Sequence, residues 1–141
     1  MRKAVIQIDP TGCGIASVAT IARISYLRAK RVAARLGIFA HDERLWSDPS
    51  YVRRLLLEFG FAAAQPATFR SWDALPDLAL LATKWHVTDG HPFWHWVVFE
   101  RENDRATVLD SKQSLIRNNR TDFGRIKPKW FMAVTDRANS S

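Results

Sequence analysis

Four residues of the chain have types and settings suited to acyl transfer: Cys13, His95, Asp110 and Gln7. Cys13 lies between Gly12 and Gly14 at the expected start of an apolar helix. Backbone N–H groups there lack intrahelical partners, and the positive end of the helix dipole favours thiolate over thiol. The flanking glycines are expected to leave a substrate carbonyl free to approach. His95 begins a hydrophobic run, Phe-Trp-His-Trp-Val-Val-Phe, where strand alternation groups it with Val97 and Phe99. A histidine held rigidly and half-screened from water suits a general base. Asp110 closes the next run, Thr-Val-Leu-Asp-Ser, and a hairpin would return it beside His95 to orient the imidazole. Gln7, six residues before Cys13, carries an amide that can donate to an oxyanion together with the Cys13 N–H. Each residue taken alone also has a plain structural reading. These are a small buried cysteine, a hydrogen-bonded histidine among aromatics, a strand-ending turn former and an ordinary polar residue on an edge strand.

The elements that must position these residues are legible in the patterning. Residues 12–27 are apolar on most sides, as in a buried helix, with Thr11 as its expected N-cap. A basic amphipathic helix over 28–36 stops at Gly37, and a third helix opens at Asp48-Pro49 and ends at Gly60. Its apolar face is Val52, Leu55, Leu56 and Phe59. Residues 78–85, 94–100, 105–109 and 130–135 are β-branched and aromatic runs bounded by turn formers, the mark of strands. Glu102-Asn103-Asp104 reads as the hairpin turn that brings Asp110 back. Helices first and strands second predict an α+β fold, an antiparallel sheet against a buried helix. One domain is expected over 1–135, followed by a polar tail, 136–141.

Composition narrows the function. At 141 residues, 47% hydrophobic and 11% aromatic, the chain can bury a core without staples. A single cysteine allows no internal disulfide and suits a reducing compartment. The apolar stretch at the start is broken at Gln7, so no secretory signal is read. No window approaches the ~20 apolar residues of a membrane helix, and the expectation is a soluble, cytoplasmic protein without a membrane partner. Six tryptophans predict a bulky core or an aromatic-walled cleft, with Trp94 and Trp96 as candidates for either. The net charge of +7 admits an anionic partner such as nucleic acid, but the basic residues are dispersed over 23–35, 53–54 and 117–129. Nucleic acid is therefore the less favoured partner. His86, His91, His95 and Asp89 raise a metal site. His91 and His95 are four apart in an extended run, hence ~13 Å from each other, too far to share one ion. No metal or cofactor is expected, and His86 and His91 read as lip or loop residues.

The segment Gln-Ile-Asp-Pro-Thr-Gly-Cys-Gly-Ile-Ala-Ser-Val-Ala resembles the active-site start of the peptidases that cut bacteriocin leaders after a double glycine. His-Trp-Val-Val and Val-Leu-Asp-Ser resemble their histidine and aspartate segments, and the likeness runs over about residues 5–135 in order and spacing. It implies a papain-like fold, Cys13 as nucleophile, His95 as base, Asp110 as orienter, Gln7 at the oxyanion, and a peptide or protein substrate. Those peptidases usually precede a membrane transporter and an ATPase, and the chain shows neither. The expectation is a stand-alone relative hydrolysing a peptide or amide bond. Deamidation, isopeptide cleavage and non-catalytic peptide binding are the alternatives on such a fold.

Overall fold

Nine of the ten residues of helix α1 (Cys13–Ala22) are buried in the computed structural model, which describes residues 1–137. That burial is what a helix apolar on all sides requires. It ends earlier than the apolar run does. Arg23 takes a left-handed conformation (φ 59°), and the Ile24 N–H returns to the Ala19 carbonyl at 3.0 Å. Ser25 then caps helix α2 (Tyr26–Arg35) by accepting from Arg28 N at 3.1 Å. The helix expected over 12–27 thus ends at Ala22 and the one expected over 28–36 begins early, at Tyr26, because a serine offering a side-chain acceptor starts the second helix inside the apolar stretch. Thr11 does not cap α1. Gly12 occupies that position without a side-chain bond, and Thr11 Oγ1 is buried without a hydrogen-bond partner.

Helix α2 stops before Gly37 (φ 79°), and a 3₁₀ turn, Glu43–Ser47, leads to α3 (Ser50–Glu58). Asp48 Oδ1 accepts from Ser50 N at 2.7 Å and opens α3. Val52, Leu55 and Leu56 are fully buried on its inner face, and Gly60 (φ 85°) follows its end.

The rest of the chain forms one antiparallel sheet. Its strands are β1 (Phe61–Ala63), β2 (Ala67–Thr68), β3 (Leu78–Thr88), β4 (His91–Glu102), β5 (Arg105–Leu109), β6 (Asn119–Arg120) and β7 (Trp130–Asp136). They run in the order β1-β7-β3-β4-β5-β6, with β2 also pairing with β7. The fold is α+β. The last strand lies between β1 and β3, so the sheet closes only when distant parts of the chain meet. The strand reaches Asp136, paired with Phe61, one residue beyond the expected domain edge; residues 138–141 of the expected tail lie outside the described residues.

Two cores sandwich the sheet. Trp94, Trp96, Val98, Leu80, Ala82 and Leu109 pack with the helices, while Leu81, Val97, Phe99 and Val108 pack with Leu75, Trp72 and Ile126 on the other face. Alternation along β4 therefore serves two cores at once, and Trp96 and Phe99 are both fully buried. The β3–β4 hairpin is longer than its apolar segments. Asp89 (φ 52°) and Gly90 (φ 78°) form a tight turn, and His86 pairs with Phe93, so His86 and His91 are strand residues rather than loop residues. No helix among the described residues is long and apolar enough to cross a membrane.

Candidate active site

Cys13 is the first residue of α1, preceded by a tight turn in which Gly12 N donates to the Asp9 carbonyl at 2.9 Å. The turn is held from outside: Tyr26 Oη donates to Asp9 Oδ2 at 2.6 Å, and Lys30 Nζ sits 3.1 Å from the same carboxylate. The hydrogen bond from Tyr26 holds the Asp9 carboxyl below the usual range, and the lysine adds to that against the cost of burial. The glycines beside Cys13 have a different reason from the one their positions suggest. A Cβ at Gly12 would collide with Tyr26 Oη, and one at Gly14 with Tyr51 Oη. They admit two tyrosines that fix the helix start, whatever they do for a substrate.

His95 and Asp110 meet. Val98 on β4 pairs with Leu109 on β5, and one residue further Asp110 Oδ1 lies 2.8 Å from His95 Nε2. A carboxylate only accepts, so Nε2 carries the proton toward Asp110, and Nδ1 is the ring nitrogen left without that bond. Burial opposes the imidazolium, but the bond to Asp110 and the nearness of Cys13 outweigh it and raise His95 to about 9.

Asp110 is fully buried and accepts three bonds: from His95, from Lys112 N at 3.1 Å and, through Oδ2, from Arg120 Nη1 at 3.1 Å. Burial pushes its carboxyl up, yet these donors hold it below the ordinary range. Asn118 clamps the same residue by its backbone, donating from Nδ2 to the Asp110 carbonyl at 2.7 Å and accepting from Asp110 N at 2.8 Å. Arg120 and Asn118 belong to the 112–120 segment, whose sequence has no periodicity. An arginine ten residues after the aspartate was the only available signal.

Gln7 touches the same segment. Its N–H donates to the Ser111 carbonyl at 3.0 Å, and Ser111 Oγ donates to Gln7 Oε1 at 2.7 Å. Gln7 Nε2 faces the carbonyls of Asp9 (3.1 Å) and Pro10 (3.2 Å), which fixes the amide's orientation. The region around Gln7 is not a strand.

Cys13 and His95 line a cleft of about 440 Å³. One wall is aromatic: His86 stacks on Phe93 (5.7 Å between centroids), and Trp46 from the 3₁₀ turn meets Phe93 edge-on at 6.4 Å. Trp94 lines the cleft too, whereas Trp96 is pure core, packed edge-on against Trp94 and Trp130. His91 lies outside this lining, and no group of His, Cys, Asp and Glu suited to a metal ion occurs among the described residues.

The fold is that of a papain-like peptidase domain. A solved double glycine motif protease from an AMS/PCAT transporter, in complex with the leader peptide, is similar to the chain with a TM-score of 0.62 over 95% of this chain and 91% of that one. Identity across the superposition is 15%, a likeness of fold rather than of sequence. No family model matches the chain, and no curated protein matches it by sequence.

Proposed function

We propose that the chain is a cysteine hydrolase that cleaves peptide bonds through Cys13, His95 and Asp110. The observation that carries this is a cysteine at a helix N-terminus sharing a cleft with a histidine that is bonded at 2.8 Å to a buried aspartate. The Cys13 sulfur, as thiolate, attacks the carbonyl carbon; a C–S bond forms and the carbonyl electrons move onto oxygen. The N–H groups at the start of α1 and the Gln7 amide receive that oxyanion. His95 gives its proton to the leaving nitrogen as the C–N bond breaks, leaving a thioester and a free amine. Acylation removes the thiolate charge and with it part of what holds the imidazole protonated, so His95 becomes a better base at the step that needs one. It then deprotonates a water, which attacks the thioester, expels the thiolate and releases the acid.

A peptide substrate is supported by the leader peptide bound in the similar protease. A quenched fluorescent peptide library, with one subset ending in double glycine before the scissile bond, tests the reading. Turnover by the wild type and its loss in Cys13→Ser and His95→Ala are expected. Absence of turnover together with a native Cys13 that iodoacetamide labels only after denaturation would refute it, leaving Cys13 as a core residue.

A further inference from the structure

We propose that Lys84 forms a carboxylate-binding subsite of the cleft, so that the favoured substrate presents a carboxylate there. The inference rests on the hydrolase reading above and adds the chemical class of substrate. Lys84 lines the same cleft as Cys13 and His95. It stands in a β-bulge: Thr83 pairs with His95 and His86 with Phe93, so Lys84 and Trp85 together oppose the single residue Trp94. The bulge is anchored at the candidate base itself, because Thr83 Oγ1 donates to the His95 carbonyl at 2.9 Å.

The backbone of Lys84 is left-handed (φ 53°), a conformation that glycine or asparagine adopts far more readily. A lysine kept there against backbone preference points to a use for its side chain. Its ammonium has no carboxylate within ion-pair distance among the described residues. Asp110, whose charge acts on Lys84, is already bonded to His95, Lys112 N and Arg120. Partial burial, then the charge of Lys112, hold the Lys84 ammonium below its ordinary range against the opposing pull of Asp110. A peptide supplies that counter-ion either as an Asp or Glu side chain or as a free C-terminal carboxylate.

The test compares alkylation of native Cys13 by iodoacetate and iodoacetamide, which differ in carrying a carboxylate or a neutral amide. The ratio of their rates should fall about three- to fivefold in Lys84→Gln, the range a partly exposed ion pair supports, and the difference should shrink at high salt. Lys84→Gly, which keeps the left-handed backbone, should give the same fall. An unchanged ratio with both reagents still reacting would overturn the subsite and leave the hydrolase reading intact. Silence of native Cys13 toward both reagents would overturn the hydrolase reading and the subsite with it. Protection of Cys13 from iodoacetamide by peptides paired as Asp against Asn, and free acid against C-terminal amide, then assigns the source. Equal protection within both pairs would also overturn the proposal.

Discussion

Replacing Asp110 with asparagine sets the buried carboxylate's three bonds against one another. The amide keeps its oxygen toward His95 Nε2 and Lys112 N only by turning its NH2 group onto Arg120 Nη1, now 3.1 Å from Asp110 Oδ2. Two donors then face each other in a site where Asp110 is fully buried and the Arg120 side chain is 17% exposed. Removing one partner of a buried ion pair costs about 3 kcal/mol or more. Arg120→Gln alone costs less, about 1–2 kcal/mol, because the glutamine NH2 can still donate to Asp110 Oδ2 and His95 still pairs with the carboxylate. Together the two changes remove the donor–donor conflict, because glutamine can accept from the asparagine amide. The double variant should therefore be more stable than the sum of the singles predicts by about 1 kcal/mol or more, in urea unfolding monitored by tryptophan fluorescence. His95 should fall from about 9 toward its ordinary 6.5 in Asp110→Asn, read by NMR titration of the imidazole. Turnover should drop with it, by up to ~10⁴-fold where a triad carboxylate becomes an amide. Additive stabilities, or a His95 titration unmoved by Asp110→Asn, would refute the network as drawn.

Stability should also depend on pH in a stated direction. His95 is raised from 6.5 to about 9 in the folded chain, so its contribution is complete below pH 6.5 and is lost as pH climbs through about 9. At most about 3 kcal/mol is involved, and thermal melts of the wild type should converge on those of His95→Gln at the alkaline end. Asp110, depressed, works oppositely, contributing above its ordinary 3.8 and losing that contribution as the medium turns acid. Gln7→Ala should lower kcat by about 10²–10³, with labelling of Cys13 little changed, since an oxyanion donor acts in the transition state. Ser111→Ala, which frees Gln7 Oε1, should do the same more weakly. Full turnover in a stable Gln7→Ala protein would remove Gln7 from the oxyanion site.

What the sequence carried about this site depended on how local each signal was. Cys13 on a buried helix and Asp110 at the end of a hairpin strand rest on contiguous patterns: a glycine-flanked apolar run, and two strands joined at Asn103-Asp104, both of which turn out left-handed (φ 51° and 66°). The register that follows from that turn is what brings Asp110 to His95, and it is set within some fifteen residues of chain. Misplaced features were those where a short polar signal competes with an apolar pattern. Ser25 starts the second helix at Tyr26, inside the apolar run expected to form the first, and the β3–β4 hairpin extends through His86 and His91 because Asp89-Gly90 makes a tight turn that neither apolar segment announces. The parts that stayed out of reach were long-range. Arg120 reaches Asp110 from a two-residue strand, Ser111 joins Gln7 across more than a hundred residues, and Tyr26 and Tyr51 explain Gly12 and Gly14 from other helices. None of these contacts has a period or a spacing, because each is fixed by how distant elements pack rather than by the run of residues around it. The same distinction bears on the chemistry. The candidate nucleophile, base and orienter sit on elements specified locally, while two further donors to the aspartate, Lys112 N and Arg120, come from a segment that only the assembled sheet holds in place. Loosening the 112–120 segment should therefore weaken the His95–Asp110 pair before it disturbs either core, so hydrogen exchange of the Asp110 amide, which donates to the Asn118 carbonyl, should report the competence of the site more directly than global unfolding does.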